Sequence, residues 1–488
     1  MPTPVDLAGM RVLVMGLGRF GGGIGVTRWL VEQGADVTVT DLADETTLAD
    51  SLRQLDGLPV SYRLGQHNER DLDGTQLLVV SPAVDKARSA FFQTAILSGI
   101  PWTSENNLFF ERCRGQIIGV TGSVGKSTTT AMIGEVLRAH FSEQRDPPKV
   151  FVGGNIGRSL LQDLPQIGPR DIVVLELSSF QLEDLAAIRI GPHHAVLTNI
   201  RPNHLDRHGT MAAYVDAKMN IVRFLREPGS ITFNADDEEL ARALGRVRPL
   251  SPDGGLWCPV SEHDSRAPVR LEGEAIVACR NMPGLTAGCA VAGSPGVYEP
   301  VIRTADLGVP GRHNVRNAML AVGVGLLYGA GNDAMARALR AFRGLPHRLE
   351  FVAEVGGVRY YNDSKSTTPD SAIMAVEAFE APVVLIAGGY DKGVSFDALG
   401  QAAARRCRAV VCVGSTRQAI ADAVRRSAAA CAPEVRLAEG FDEAVAVARR
   451  LAHPGDVVLL SPACASYDLF ANYEERGERF RTIVRAHP

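Results

Sequence analysis

Short apolar runs ending in glycine or small polar residues alternate along this chain with longer stretches whose apolar positions fall three and four apart. Runs of that length bounded by turn residues predict buried strands, and the wider spacing predicts helices. Residues 10–15 predict a strand that ends in a glycine loop, followed by a helical pattern through Trp29, Leu30 and Val31. Strands are expected at 36–40, ending at Asp41, and at 77–80, running into Ser81 and Pro82. A second block opens with a strand at 117–121, a second glycine loop and a helix from Lys126, with further strands at 172–175, 195–198 and 230–233. A third block has strands at 358–361, 383–387, 409–413 and 457–460, separated by helices rich in alanine and arginine. Strand–loop–helix alternation of this kind predicts parallel sheets. Residues 245–310 are rich in glycine and proline, with strand-like runs such as 275–278, and carry no functional reading.

The length of 488 residues fits about three domains at roughly 150 residues each. Apolar residues make up 45% and charged residues 22%, as in ordinary globular chains. The 51 basic and 55 acidic side chains leave a net charge of −4, which argues against a nucleic-acid partner held through phosphates. The longest apolar run, 318–331, is shorter than the about 20 residues of a bilayer span and reads as a buried helix. The chain opens without a signal-peptide pattern, and its eight cysteines form no CxxC pair. Reduced thiols, a cytoplasmic location and no membrane association are therefore expected.

Two glycine loops carry the candidate chemistry. Gly16-Leu17-Gly18-Arg19-Phe20-Gly21 fits GxGxxG between a strand and a helix, with Asp41 ending the next strand. Glycines let a phosphate approach the backbone, and the helix N-terminus offers free N–H donors. The pattern also fits a tight turn without a ligand, and does not separate a nicotinamide cofactor from another nucleotide. The second loop is Thr121-Gly122-Ser123-Val124-Gly125-Lys126-Ser127-Thr128, with Val120 where the strict phosphate-loop pattern has its first glycine. Its amides can cradle phosphates, Lys126 can reach the β and γ oxygens, and Ser127 can ligate Mg²⁺, which points to an ATPase-type or phosphotransfer site. Glu176 follows a strand, where a carboxylate meets either Mg²⁺ or the amides of a helix N-terminus. His204, taken alone, reads as a structural histidine, and Lys218 as a solvated lysine on a helix of mixed polarity. In the third block the polar segments 362–367, 388–392 and 461–466 all follow strands, where open parallel sheets bind ligands.

Taken together, segments 121–128, 176–183, 199–206 with Lys218, 311–317, His347-Arg348, 362–367 and 461–466 resemble the Mur ligases of peptidoglycan synthesis. The resemblance runs from the first glycine loop to Phe480. Segments 175–183 and 460–466 resemble the branch that joins D-glutamate to UDP-N-acetylmuramoyl-L-alanine. The alternative is a related ligase for L-glutamate or another amino acid. The family implies an α/β chain of three domains: a Rossmann-like UDP-binding domain (1–112), a central ATP-binding domain with a parallel sheet (113–344) and a C-terminal Rossmann-like glutamate-binding domain (345–488). It implies a cytoplasmic monomer that uses ATP and two Mg²⁺ ions to form an acyl phosphate, with closure of the C-terminal domain.

On matching positions, the family's ATP contacts fall on Gly122, Gly125, Lys126, Ser127, Thr128, Asn317, Arg348 and Asp363. Its UDP-substrate contacts fall on Gly16, Gly18, Asp41, Asn155, Ser178 and Gln181, and its amino-acid contacts on Lys365, Thr367, Lys392, Ser466 and Phe470. Ser127, Glu176, His204 and Lys218 match the metal ligands, with Lys218 carbamylated, and Lys126, His204 and Lys218 match the catalytic set. Leu42 and Ala43 stand where family members often contact uracil, and Val124 where an asparagine is common. A nicotinamide-dependent oxidoreductase leaves the Lys126 loop unexplained. A non-catalytic nucleotide-binding regulator leaves Lys126, Glu176, His204 and Lys218 unexplained.

Overall fold

The computed structural model describes residues 5–18, 22–155, 159–247, 256–280, 297–391, 393–427 and 432–486. Among these, twenty strands form three sheets. The first contains β1 (Arg11–Met15), β2 (Asp36–Asp41), β3 (Val60–Leu64), β4 (Leu77–Val80) and β5 (Trp102–Thr103). Its order is β3-β2-β1-β4-β5, all parallel. The second contains β6 (Gln116–Thr121), β7 (Val150–Gly154), β8 (Ile172–Glu176), β9 (His194–Leu197), β10 (Ser230–Asn234), β11 (Leu256–Ser261), β12 (Val269–Glu272), β13 (Ala275–Cys279) and β14 (Tyr298–Arg303). Its order is β14-β13-β12-β11-β10-β9-β6-β8-β7, parallel except where β13 joins its two neighbours. The third contains β15 (Glu350–Val355), β16 (Val358–Asn362), β17 (Val383–Ala387), β18 (Cys407–Cys412), β19 (Glu434–Leu437) and β20 (Val457–Leu460). Its order is β15-β16-β20-β17-β18-β19, antiparallel only at β15.

Every strand expected from an apolar run is present, with ends displaced by at most two residues. The runs miss all six edge strands, β3, β5, β7, β14, β15 and β19, and also β11 and β12, which lie inside the second sheet within the glycine- and proline-rich stretch 245–310. An edge strand leaves part of its surface to solvent, so it needs no continuous apolar run. Ser61 and Arg63 of β3, and Glu434 and Arg436 of β19, are exposed. By contrast, β8 is buried along its whole length, as a parallel strand covered on both faces must be. The expected apolar helix forms at Arg312–Leu327 and buries Ala318 through Val322. No described helix is long and apolar enough to cross a membrane.

The chain divides into two compact units. The first two sheets belong to Met1–Thr304 with Arg316–Ala338, and the third to Ala305–Val315 with Leu339–Pro488. Within the first unit the two sheets are pinned together by polar contacts. Lys86 Nζ lies 2.7 Å from the buried Asp184 carboxylate, and Asn107 Nδ2 donates to Asp184 O at 2.8 Å. Gln162 Nε2 donates to Gly25 O at 2.8 Å, and a Cβ on Gly25 would stand 2.4 Å from Ser159 Cβ. Part of the glycine run after the first loop is thus explained by close packing.

Glu105 opens the helix Glu105–Arg112 at this seam. Burial pushes its carboxyl up to about 7, against a hydrogen bond from Ser159 that lowers it. A folded pKa above the ordinary 4.5 means that the folded state holds this proton longer than the unfolded chain. The stability it contributes is full below pH 4.5 and is lost as pH rises through 7. Glu105→Gln is therefore expected to match the wild type in urea midpoint at pH 4 and exceed it at pH 8. Parallel curves would contradict the assignment.

Candidate active site

Strand β6 delivers the chain into the second glycine loop, and the helix Lys126–Phe141 leaves it. Gly122 has φ +149° and Gly125 φ +85°, conformations that L side chains rarely adopt. A Cβ on Gly122 would stand 2.0 Å from Thr198 Oγ1, and one on Gly125 2.6 Å from Asn317 Oδ1. The residues after β9 clamp the loop. Thr198 Oγ1 and Asn199 Nδ2 donate to Val124 O at 2.6 and 2.8 Å, and Val124 N donates to Asn199 Oδ1 at 3.0 Å. The Val124 side chain is exposed, so its departure from asparagine leaves these main-chain contacts in place. Lys126 Nζ donates to Ser123 O at 3.0 Å, and Ser127 and Thr128 are buried in the first helical turn. Thr129 Oγ1 donates to Asn317 Oδ1 at 3.1 Å, bringing Asn317 to the base of the loop.

Two ionisable residues lie in the interior beside this loop. Glu176 ends β8 and is 2% exposed. Its Oε1 accepts from Asn155 Nδ2 at 3.1 Å, while its buried Oε2 has no hydrogen-bond partner among the described residues. Lys218, on the helix Met211–Arg223, is also 2% exposed, which corrects the solvated lysine read from the residues alone. That helix turns Lys218 inward among Tyr214, Val215 and Met219, which are also buried. Its Nζ donates to Gly122 O at 2.8 Å and lies 4.6 Å from the centre of the Tyr214 ring. Burial, reinforced by the nearby Lys126 cation and opposed by Glu176, holds the Lys218 amine well below its ordinary pKa. His204 is exposed and precedes the short helix Leu205–His208 with φ +54°, its ring 5.2 Å from that of Phe180.

Ser178 and Gln181 bond to each other. Gln181 N donates to Ser178 Oγ at 3.2 Å and Ser178 N to Gln181 Oε1 at 2.9 Å, the capping box of the helix Ser179–Ile188. In the first sheet, Gly16 and Gly18 follow β1 with positive φ. Both Asp41 oxygens accept main-chain amides, from Gly18 at 3.0 Å and Ala43 at 2.9 Å. The remainder of the first loop, Arg19 to Gly21, lies outside the described residues.

In the second unit, Asp363 and Ser461 follow the neighbouring strands β16 and β20. Ser461 Oγ donates to Asp363 Oδ2 at 2.7 Å, and Leu349 N to Asp363 Oδ1 at 3.1 Å. Burial pushes the Asp363 carboxyl up to about 6, against hydrogen bonds from Ser366 and Ser461 and the charge of Arg348. Lys365 and Thr367 continue the same loop, with Lys365 Nζ 5.6 Å from the centre of the Tyr473 ring. Ser466 is buried and its carbonyl accepts from Phe470 N at 2.8 Å. Phe470 packs edge-on against Phe441. Lys392 lies outside the described residues. Sequence reasoning overlooked Thr198, Tyr214 and Phe180 individually, and only the strand-end position of Thr198 offered a signal.

The profile of the Mur ligase MurD-like N-terminal domain matches residues 10–104, that of the Mur ligase middle domain residues 120–250, and that of the Mur ligase glutamate ligase domain residues 347–464. A UDP-N-acetylmuramoylalanine–D-glutamate ligase from Roseiflexus sp. (strain RS-1) is 41% identical over 99% of this chain and 100% of its own. The enzyme of the same name from Pelotomaculum thermopropionicum is 39% identical over 98% of each. Among solved structures, the UDP-N-acetylmuramate-alanine ligase MurC from Thermotoga maritima aligns over 98% of this chain and 100% of its own, with TM-score 0.61 and 21% identity. At that identity the likeness concerns the fold.

Gly122→Ala forces a side chain onto Thr198 and is expected to cost about 2 kcal/mol or more, seen as a lower Tm, with loss of ATP binding by calorimetry. Val124→Ala, at an exposed side chain, should shift Tm by less than a degree or two, within about 0.5 kcal/mol. Equal effects at the two positions would contradict the geometry.

Proposed function

The chain belongs to the Mur ligase family, and from that premise we propose that it adds D-glutamate to UDP-N-acetylmuramoyl-L-alanine, driven by ATP, during assembly of the peptidoglycan precursor in the cytoplasm. The observation that carries this reading is the run of curated relatives of that name, at 35–41% identity across nearly the whole chain. The phosphate loop and the buried groups beside it supply the chemistry that such a ligase requires.

In the proposed reaction, the terminal carboxylate of the nucleotide sugar attacks the γ-phosphorus of ATP. An O–P bond forms, and the bond to the bridging oxygen breaks to release ADP. The glutamate amine then attacks the acyl carbon and loses a proton, and inorganic phosphate leaves. Phosphoryl transfer depends on positioning and charge neutralisation. The amides of residues 122–128 hold the phosphates, and Lys126 offsets negative charge on the transferred group. Gly122, Gly125, Ser127, Thr128, Asn317, Arg348 and Asp363 serve ATP. Gly16, Gly18, Asp41, Asn155, Ser178 and Gln181 serve the nucleotide sugar, with Asp41 and the Ser178–Gln181 pair acting by shaping their loops. Lys365, Thr367, Lys392, Ser466 and Phe470 receive the glutamate; cationic and hydroxyl donors suit its two carboxylates.

The residues beside the loop fit Mg²⁺. Glu176 presents a buried oxygen that has no partner among the described residues, and Ser127 a hydroxyl at the helix start. Glu176 and Ser127 would hold one ion, and His204 with a carbamylated Lys218 would serve the second. Bound Mg²⁺ supplies further neutralisation of phosphate charge. A dry lysine that favours the neutral amine is suited to carbamylation: its nitrogen adds to CO₂, an N–C bond forms, and a proton is released. The product replaces a cation with oxygen donors.

Phosphate release from ATP with Mg²⁺ and UDP-N-acetylmuramoyl-L-alanine should occur with D-glutamate, with the matching mass gain on the nucleotide sugar. It should be absent with L-glutamate or no amino acid. Release with L-glutamate alone would overturn the specificity. Lys126→Met should retain its fold and lose at least about 10²-fold in kcat. With ¹³C-bicarbonate, the wild type should show a carbamate carbonyl resonance that Lys218→Met lacks; a resonance common to both would contradict the lysine assignment.

A further inference from the structure

Arg207 carries none of the roles given above, yet it joins two of the sites. It lies on the short helix Leu205–His208, three residues after His204. Its Nη1 donates to Ala83 O at 2.9 Å and its Nη2 to Val84 O at 3.0 Å, so the guanidinium grips the loop that follows β4. Its Nε lies 3.9 Å from the Asp85 carboxylate. On its other side the guanidinium carbon is 4.2 Å from the centre of the Phe180 ring. The same ring stacks on His208 at 5.0 Å with an interplanar angle of 5°, and meets His204 at 5.2 Å. His208 is itself fixed, with Nε2 2.9 Å from Ser179 Oγ and Nδ1 3.3 Å from Glu183.

The loop that Arg207 grips is packed on the first glycine loop. A Cβ on Gly16 would stand 2.9 Å from Ser81 Cβ and 3.6 Å from Val84 Cγ2. Ser81 N donates to Met15 O at 2.9 Å and Val84 N to Ser81 O at 3.0 Å, so a continuous path of contacts runs from Met15, which precedes Gly16, through Ser81, Val84 and Arg207 to Phe180 and His204, all within one compact unit. Arg207 is not the sole link across this seam, because Lys86–Asp184 and Gln162–Gly25 tie it independently. Arg207 supplies a planar fork that reaches two consecutive carbonyls while its guanidinium carbon lies over an aromatic ring. A lysine can reach one carbonyl and cannot stack in that way.

We propose that Arg207 is a positioning residue that couples occupancy of the first glycine loop by the nucleotide sugar to the placement of Phe180 and His204. This rests on the assignment of the nucleotide sugar to that loop. The test is amide exchange of the full-length protein with UDP-N-acetylmuramoyl-L-alanine alone, without ATP or metal. In the wild type, protection should rise both at residues 81–86 and at 204–209. In Arg207→Met it should rise at 81–86 and not at 204–209, and Arg207→Lys should fall between. In turnover, Arg207→Met should lower kcat about tenfold with KM for ATP within about twofold, a split that general loosening of the fold would not produce. Wild-type-like protection at 204–209 in Arg207→Met overturns the proposal, as does protection at 81–86 without protection at 204–209 in the wild type. No wild-type protection at either segment overturns the nucleotide-sugar assignment first, and the coupling with it. If Arg207→Met does not fold, undiminished protection at 204–209 in Arg207→Lys overturns the coupling, and reduced protection supports it.

Discussion

The arrangement at the phosphate loop depends on two ionisable side chains, Glu176 and Lys218, being kept in the interior beside it. Burying a charge costs several kcal/mol even after the surroundings relax. The fold meets that cost in different ways. Lys218 gives up basicity and donates to Gly122 O, so it holds the loop as it reaches it. Glu176 is steadied through one oxygen by Asn155, and its other oxygen has no partner among the described residues. Tyr214 covers Lys218 and bonds Ser123 across 2.9 Å, while Thr198 fixes Val124 from the opposite side. An incoming triphosphate with its cations would complete a charge arrangement that the protein alone leaves unfinished.

The same logic recurs at all three sheets. In each, the polar groups gather where parallel strands end. Gly16 and Asp41 stand after β1 and at the end of β2, Gly122 and Glu176 at the neighbouring β6 and β8, and Asp363 and Ser461 after β16 and β20. A parallel sheet leaves its loops at that edge open, and function collects there. Several of these polar residues first hold the backbone. Asp41 takes up amides of its own loops, Ser178 and Gln181 cap a helix, and Asp363 bonds Leu349 N and Ser461. Such contacts fix the loop geometry on which any substrate contact then relies.

Most of the interior of this architecture was legible in the sequence; its edges were not, nor were β11 and β12, whose short runs sit among the glycines and prolines of 245–310. Central strands such as β6, β8 and β17 are continuous apolar runs because both of their faces are covered. Edge strands such as β3 and β19 alternate charge with small or apolar residues and merge with their loops. The phosphate loop declared itself through Gly122, Gly125 and Lys126, since backbone curvature and phosphate reach demand those residue types at that spacing. Lys218 was unreadable as a buried residue, because a lysine in a helix of mixed polarity is ordinarily solvated, and only tertiary packing turns it inward. Arg207 gave no local signal either: its partners Ala83 and Val84 lie 124 and 123 residues away along the chain.

At this site the γ-phosphoryl group is expected to pass to a carboxylate rather than to water. The most direct test labels both oxygens of the terminal carboxylate of UDP-N-acetylmuramoyl-L-alanine with ¹⁸O and follows the label through one turnover with ATP and D-glutamate. The inorganic phosphate released should carry one ¹⁸O, and the amide product should keep the other. Unlabelled phosphate, with both labels left on unreacted nucleotide sugar, would mean that ATP is merely hydrolysed and that no acyl phosphate forms.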